Sequence, residues 1–225
     1  MRDLILHEQF ELEILRRMQS GRLLDALVFT GGTMLRLCHG LERYSVDLDF
    51  RAPKNGMDWT RYARSLKEHL SRDYRVVDAA NKRYSIVVEL KSPAYPRSLK
   101  IEIRKDVSAV KTEMNIAYSP ASTIQVIVKT VALDEMMKMK IEAFLNRKEI
   151  RDAYDLEFLI KRGIKFGADA KTAGRLLTGV EELGKKDFSV KLGALLPADL
   201  RKYYRQNGFK ILRTELTGIL NNSQQ

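Results

Sequence analysis

The 225-residue chain is 44 % hydrophobic and 31 % charged, a composition that excludes a disordered chain and suits one large domain or two lobes. Its formal net charge of +11 favours polyanionic partners such as nucleotides, nucleic acid or an acidic protein. The single cysteine, Cys38, excludes an internal disulfide, and the lack of a signal-like N-terminus or an apolar run of roughly 20 residues leads us to expect a cytoplasmic protein without membrane contact.

Helical and strand patterns alternate up to about residue 130. In chain order they predict a helix over 4–19, an apolar segment over 24–30 that either ends that helical region or forms a strand, a helix after the glycines at 31 and 32, a strand over 46–50, a helix over 58–70, and strands over 75–79, 84–90, 99–104 and 123–128. The rest of the chain is helical in pattern, with helices predicted over 135–147, 152–162, 169–183 and 197–220. This order predicts an α+β lobe over 1–130 followed by a helical lobe over 131–225.

The positive charge is concentrated near the C-terminus. From Lys161 to the end there are 13 Lys and Arg against 6 Asp and Glu, so this stretch carries +7 of the total of +11. Such a surface suits a polyanion, although charge patterning alone does not say which one, and a solvated surface is the plainer interpretation.

Two carboxylates lie in the predicted strand over 46–50. Successive side chains of a strand point to opposite faces, so Asp47 and Asp49 share one face while Leu48 and Phe50 share the other. Two like charges at this spacing repel each other and are best tolerated with a cation between them, and oxygen ligands of this kind suit Mg²⁺ (or Mn²⁺). A pair of acids on a solvated strand face is the alternative.

A two-metal site for phosphoryl displacement usually needs a further carboxylate. Glu102 stands between Ile101 and Ile103 in the same alternating style, and Glu89 on the preceding strand is a rival candidate. We prefer Glu102, although spacing alone leaves both open. The three histidines, His7, His39 and His69, have no mutual spacing that indicates a metal site.

A glycine pair precedes the acidic strand. Gly31 and Gly32 before a helix would let backbone N–H groups approach a phosphate closely, and the N-terminus of a helix favours the anion. The Thr33 hydroxyl could add one more hydrogen bond to the same phosphate. An ordinary turn is the alternative for each of these residues.

The first two predicted helices of the second lobe bring cations and acids together. Lys140 and Arg147 are seven residues apart and therefore lie on one helix face, where they could neutralise a triphosphate. Asp155 could orient either cation or bind an acceptor hydroxyl. The alternatives are that Asp152 is an ordinary first-turn acid and that Arg151 and Asp155 form a surface pair.

These segments together resemble the AbiEii/AbiGii-type toxin family of the DNA polymerase β-like nucleotidyltransferases. The matching segments, in family order, are Gly31-Gly32-Thr33-x-Leu35-Arg36, then Arg43-x-Ser45-x-Asp47-Leu48-Asp49-Phe50, then the helix from Lys140 to Arg147, and finally Arg151-Asp152-x-Tyr154-Asp155-Leu156. Two departures are Thr33 where the wider superfamily usually has Ser, and Glu102 in place of Asp as the third acid. The region after about residue 165 matches no motif.

The resemblance implies a fold, a reaction and a set of site residues. It implies a nucleotidyltransferase lobe with a mixed sheet, and the transfer of a nucleotide from an NTP to an acceptor, often RNA such as the 3′ end of a tRNA, in a toxin restrained by a cognate antitoxin. The implied metal ligands are Asp47, Asp49 and Glu102, with Lys140 and Asp155 completing the catalytic set. The implied nucleotide-binding residues are Gly31, Gly32, Thr33, Arg36, Arg43, Ser45, Lys140, Arg147 and Asp152.

Two other functions stay open at this point. The same fold could bind RNA or a protein without chemistry, although a non-catalytic domain has no need to keep Asp47 and Asp49 side by side. It could also transfer the nucleotide to a small molecule or to a protein hydroxyl.

Overall fold

The structure is a computed structural model that describes residues 1–54 and 56–223. The chain forms two compact units, Met1–Ala132 and Leu133–Gln225. Among the helices of the described residues, none is long and apolar enough to cross a membrane.

The first unit is a seven-stranded sheet with three helices. Its elements in chain order are α1 Arg2–Ser20, β1 Val28–Thr30, α2 Gly31–His39, β2 Asp47–Pro53, α3 Trp59–Leu70, β3 Arg75–Asn81, β4 Ser85–Lys91, β5 Leu99–Val107, β6 Thr112–Ala117 and β7 Val126–Val131. The strand order is β3-β4-β5-β2-β1-β7-β6. The β2–β5 and β1–β7 pairs are parallel and the other pairs are antiparallel, so the predicted mixed sheet is confirmed.

The two faces of the sheet differ because the sequence alternates. Along β2 and its partner β5, the buried side chains include Leu48, Phe50, Ile101 and Ile103, and α2 packs against β2. The intervening residues of both strands are polar and half-exposed. Burying one apolar face therefore fixes the register of these strands and leaves a polar face for chemistry.

Local signals explain most element boundaries in this unit. Gly21 ends α1 with its N–H on the Arg17 carbonyl, as its position after the apolar pattern indicates. Asp58 caps α3 by accepting hydrogen bonds from the N–H groups of Thr60 and Arg61. The segment 24–30, open between two interpretations, ends as the short strand β1.

The strand β6 was not predicted. Met114 and Ile116 alternate with Glu113 and Asn115, but both apolar side chains are exposed, so this alternation does not mark a buried face of the sheet. It is an edge strand held by its antiparallel ladder with β7, and such pairing leaves little trace in the sequence of the edge strand itself. The neighbouring strand β7 lies three residues further along the chain than predicted.

The second unit is helical, as predicted. Its helices are α4 Leu133–Arg147, α5 Ile150–Lys161, α6 Ala170–Glu181, a π-helical turn Asp187–Leu192, a 3-10 turn Gly193–Leu195, α7 Ala198–Asn207 and α8 Lys210–Asn222. The prediction of one helix over 197–220 is wrong, because Gly208 adopts a φ of +56° and separates α7 from α8.

Candidate active site

Carboxylates from three strands share the polar face of the sheet. In the parallel β2–β5 pair, Asp49 lies opposite Glu102 and Asp47 lies opposite Lys100. Residues in register on neighbouring strands point to the same side, so Asp47, Asp49 and Glu102 face the same way. Glu89 also lies on this face, but on β4 opposite Lys100, with β5 between it and β2. The geometry therefore favours Glu102 over Glu89 as the partner of the two aspartates.

Basic side chains share this face with the acids, because Lys100 lies opposite Asp47 and Arg51 lies opposite Arg104. The Lys100 ammonium lies 3.7 Å from an Asp47 carboxylate oxygen and 3.7 Å from a Glu102 carboxylate oxygen. The exposed fractions of the side chains are 40 % for Lys100, 35 % for Asp47 and 30 % for Glu102. Solvent therefore screens these ion pairs, and they contribute little to stability.

The carboxylate oxygens on this face are the type of ligand that a hard divalent cation binds. Asp47, Asp49 and Glu102 offer only carboxylate oxygens, which is the ligand type that Mg²⁺ and Mn²⁺ prefer. Within the described residues, no three His, Cys, Asp or Glu side chains already converge as a metal cage. The metal site at Asp47, Asp49 and Glu102 therefore stays a prediction, which rests on the type of ligand and on the common face of the three side chains.

The glycine turn lies directly against the carboxylates. Gly31 adopts a φ of +82°, and a Cβ atom placed on it would lie 2.6 Å from a carboxylate oxygen of Asp49. Only glycine combines this backbone with so close an approach. Gly31 also begins α2, so the first N–H groups of the helix lie beside the acidic strand.

The second glycine lies against Arg43 and Ser45. A Cβ atom on Gly32 would lie 2.5 Å from a guanidinium nitrogen of Arg43 and 2.9 Å from the Ser45 hydroxyl. The Arg43 side chain is buried, and it donates a hydrogen bond of 3.1 Å to the Tyr44 carbonyl. The first N–H groups of α2 favour an anion at this position, and the buried Arg43 guanidinium lies directly against them.

Two predicted nucleotide-binding side chains face inward instead. The Thr33 hydroxyl is buried and donates a 2.6 Å hydrogen bond to the Asp47 carbonyl. The Arg36 guanidinium forms an ion pair with Glu8, donates to the carbonyls at 41 and 42, and lies 3.7 Å above the Tyr44 ring. We therefore assign both side chains to holding the turn and strand rather than to the nucleotide.

Replacing Gly31 by Ala is expected to lower nucleotidyl transfer by about 100-fold, because the methyl group would displace the Asp49 carboxylate from its position. The backbone alone adds a destabilisation of about 1–2 kcal/mol, since a Cβ disfavours positive φ. Steady-state transfer rates and urea unfolding measure the two effects.

Gly40→Ala is the matched control. Gly40 has a similar φ of +77°, and no atom of the described residues lies within 4 Å of a Cβ atom placed on it. This variant should lose similar stability and keep its transfer rate. Equal rates for the two variants would contradict the role of Gly31.

The second unit contains a compact cluster of charges. The Lys140 ammonium lies 2.6 Å from Asp155 and 3.1 Å from Asp152, and both carboxylates are fully buried. Arg147 binds Asp152 in a bidentate fashion at 2.6 and 2.8 Å. The structure thus brings together all four residues that the sequence proposed on α4 and α5, in an arrangement in which two cations face two acids.

Both Lys140 and Arg147 were predicted to neutralise a triphosphate, but the two side chains differ in their exposure to solvent. The Lys140 side chain is 9 % exposed, whereas that of Arg147 is 53 % exposed. Burial alone would raise the pKa of Asp152, but the hydrogen bond and charge of Arg147 and the charge of Lys140 outweigh it and lower that pKa. Asp152 is thus an ionised buried acid, and of the two cations it is Arg147 that presents positive charge at the surface.

Two buried ionisable residues on α1, His7 and Glu11, were not identified from the sequence. The Nε2 atom of His7 donates a hydrogen bond of 2.9 Å to the Val46 carbonyl. A carboxylate oxygen of Glu11 lies 3.4 Å from the Thr33 hydroxyl. The signal that could have found them is that charged residues occupy positions one helical turn apart on the buried side of 4–19.

The family of the chain follows from a match that covers most of it. A family model described as "Nucleotidyl transferase AbiEii toxin, Type IV TA system" matches residues 13–207. Together with the sheet and its acidic face, this defines a nucleotidyltransferase. The chain belongs to the AbiEii nucleotidyltransferase toxin family, which confirms the resemblance and implies an NTP substrate and an antitoxin partner.

Solved structures show the same fold. JHP933 from Helicobacter pylori is 21 % identical, with a TM-score of 0.61 over 94 % of this chain and 91 % of that one. A second H. pylori protein, provisionally named a nucleotidyltransferase, is 19 % identical, with a TM-score of 0.60 over 96 % of each chain. Among curated proteins, no sequence is similar enough to count as a match.

Proposed function

We propose that the protein transfers a nucleotide from an NTP to the 3′ end of an RNA, with tRNA as the first candidate, in a reaction that needs Mg²⁺ or Mn²⁺ and takes place in the cytoplasm. The observation that carries the proposal is the placement of Asp47, Asp49 and Glu102 on one face of the sheet, with the Gly31 turn against Asp49. Carboxylates beside an anion-binding helix N-terminus are what a metal–triphosphate substrate requires.

The reaction needs few protein groups. An acceptor hydroxyl attacks the α-phosphorus of the NTP, the bond to the β-phosphate oxygen breaks, and pyrophosphate leaves with the bonding electron pair. Asp47, Asp49 and Glu102 would hold the metal, which when bound stabilises negative charge on the phosphate oxygens. We assign acceptance of the acceptor hydroxyl proton to Glu102, and binding of the triphosphate to the backbone N–H groups of Gly31 and Gly32.

Arg43 and Ser45 support this binding from behind the turn, because both lie against Gly32. In the second unit, we propose that Arg147 supplies surface positive charge to the RNA. Lys140, Asp152 and Asp155 then serve to hold Arg147 in place, because their charges are buried.

The RNA acceptor is supported by charge. The stretch from Lys161 to the end carries +7, and exposed cations such as Lys171, Arg175 and Lys202 belong to it. Contacts of this kind reach phosphates and position an RNA without reading its sequence. A cationic small-molecule acceptor would be repelled by the same surface.

Incubation of the purified protein with each α-³²P-labelled NTP, Mg²⁺ and total RNA tests the proposal. We expect label on an RNA band with one or more NTPs, lost on adding EDTA and absent with an Asp47→Asn, Asp49→Asn double variant. Periodate oxidation of the RNA 3′ end beforehand should also prevent labelling. Label on protein or on a small molecule would contradict the RNA acceptor, and labelling by the double variant would contradict the site.

A further inference from the structure

Three ionisable residues are buried along α1, although a helix of this kind normally buries apolar side chains. His7, Glu8 and Glu11 are 1 %, 4 % and 0 % exposed. Buried groups of this type are unfavourable unless their hydrogen bonds are used inside the protein. Glu8 has such a use, because it binds Arg36 and accepts from the Ser119 hydroxyl.

His7 and Glu11 are directed at the start of the acidic strand. His7 donates from Nε2 to the Val46 carbonyl at 2.9 Å, and a carbonyl partner requires the proton on that nitrogen. The Thr33 hydroxyl donates to the Asp47 carbonyl at 2.6 Å, and its oxygen lies 3.4 Å from Glu11. The helix α1 therefore holds the Val46 carbonyl directly through His7, and through Glu11 it contacts the α2 hydroxyl that holds the Asp47 carbonyl.

The sheet explains why this backbone needs support. The last pair between β1 and β2 is Thr30 with Asp49, and beyond it the chain turns away into α2. Within the described part of the chain, Asp47 is therefore paired with β5 but has no strand partner on the β1 side. Thr33 takes the place of the missing strand by binding the Asp47 carbonyl.

Proton counting identifies the role of Glu11. A hydroxyl has one hydrogen, and the shorter contact of Thr33 gives it to the Asp47 carbonyl. Glu11 can then bind the Thr33 oxygen only by donating a proton of its own. Burial, reinforced by the charge of Glu8, raises the pKa of Glu11 well above its usual range, which is consistent with a neutral acid.

We propose that Glu11 is a positioning residue for Asp47, acting as a hydrogen-bond donor through the Thr33 hydroxyl. The chain of contacts runs from the Glu11 carboxyl to the Thr33 oxygen and from the Thr33 hydroxyl to the Asp47 carbonyl. The inference rests on the proposed function in one respect, namely that Asp47 binds the metal.

Mn²⁺ binding to the whole protein, followed by the EPR signal of the free ion with no nucleotide present, tests this inference. Glu11→Gln keeps a donor of the same shape, whereas Glu11→Met keeps the volume and removes the donor. We expect Glu11→Gln to bind Mn²⁺ as the wild type does, and Glu11→Met to bind it about 10–100-fold more weakly, as for other outer-shell partners. Equal binding by Glu11→Met, or equal weakening by Glu11→Gln, would overturn the inference.

A second matched pair covers the case in which Glu11→Met does not fold. Thr33→Val replaces the hydroxyl by a methyl group and should weaken Mn²⁺ binding to a similar extent. Thr33→Ser keeps the hydroxyl and should bind Mn²⁺ as the wild type does. The combined Glu11→Met, Thr33→Val variant should be no weaker than either single variant, because both act through one chain of hydrogen bonds. Additive losses would show independent effects and overturn the inference.

The Asp47→Asn, Asp49→Asn variant separates this inference from the proposed function. If the wild type and this variant bind Mn²⁺ equally, the metal site itself is wrong. If the double variant loses the ion while Thr33→Val and Glu11→Met retain it, the metal site stands and only the role of Glu11 is wrong.

Discussion

Replacing Asp47 and Asp49 together by Asn is expected to lower nucleotidyl transfer by at least about 1,000-fold without destabilising the protein. The metal is expected to supply several kcal/mol of charge stabilisation, and each 1.4 kcal/mol corresponds to about tenfold in rate. Folding loses little, because Asn keeps the shape and one hydrogen-bonding oxygen of each side chain, because the Lys100 ion pair of Asp47 is long and screened, and because the substitution removes a repulsion between like charges. Urea unfolding should therefore give a stability within about 1 kcal/mol of the wild type.

The two glutamates of the same face provide a matched comparison. Glu102 lies opposite Asp49, whereas Glu89 lies one strand further away and opposite Lys100. We expect the Glu102→Gln variant to lose nucleotidyl transfer and the Glu89→Gln variant to keep it. Each variant removes one carboxylate, and the two residues lie on neighbouring strands. The reverse result would move the third ligand to Glu89, and loss in both would indicate that the overall charge of the face matters more than individual ligands.

Alternation of polar and apolar residues made one part of the site predictable from the sequence. Asp47 and Asp49 alternate with Leu48 and Phe50, so burial of the two apolar side chains directs both carboxylates to the polar face. The same alternation set Glu102 opposite the apolar Ile101 and Ile103, but placing it on the face of Asp47 and Asp49 required the parallel register of β2 and β5, which no local pattern contains. Choosing between Glu102 and Glu89 was therefore beyond the sequence.

Inward-facing polar residues could not be predicted for a different reason. The motif places Thr33 and Arg36 beside the glycine turn, and spacing does not say whether a side chain on α2 turns towards a ligand or towards α1. The direction is set by the buried acids Glu8 and Glu11 on a helix more than 20 residues earlier in the chain. Tertiary contacts of this kind also explain β6, which is held by its pairing with β7 rather than by its own residues.

Replacing Lys140 by Met is expected to destabilise the protein by about 3–5 kcal/mol, because it leaves the buried carboxylates Asp152 and Asp155 with too little positive charge. Arg147→Met is the control within the same cluster. Its side chain is 53 % exposed and Asp152 keeps its contact with Lys140, so a smaller cost of about 1.5–3 kcal/mol is expected. Urea unfolding of both variants measures the difference, and equal costs would contradict the inward role of Lys140.

A double variant distinguishes the structural role of Lys140 from a catalytic one. Lys140→Met, Asp155→Asn removes one buried acid along with the cation, so Asp152 and Arg147 stay as a balanced pair and stability should partly recover. If transfer recovers with stability, Lys140 and Asp155 act only by holding the cluster, as we propose. If the double variant folds but does not transfer while Arg147→Met transfers normally, the catalytic cation of this unit is Lys140. Stability and transfer must therefore be measured on the same samples, because loss of transfer in Lys140→Met alone would follow from either role.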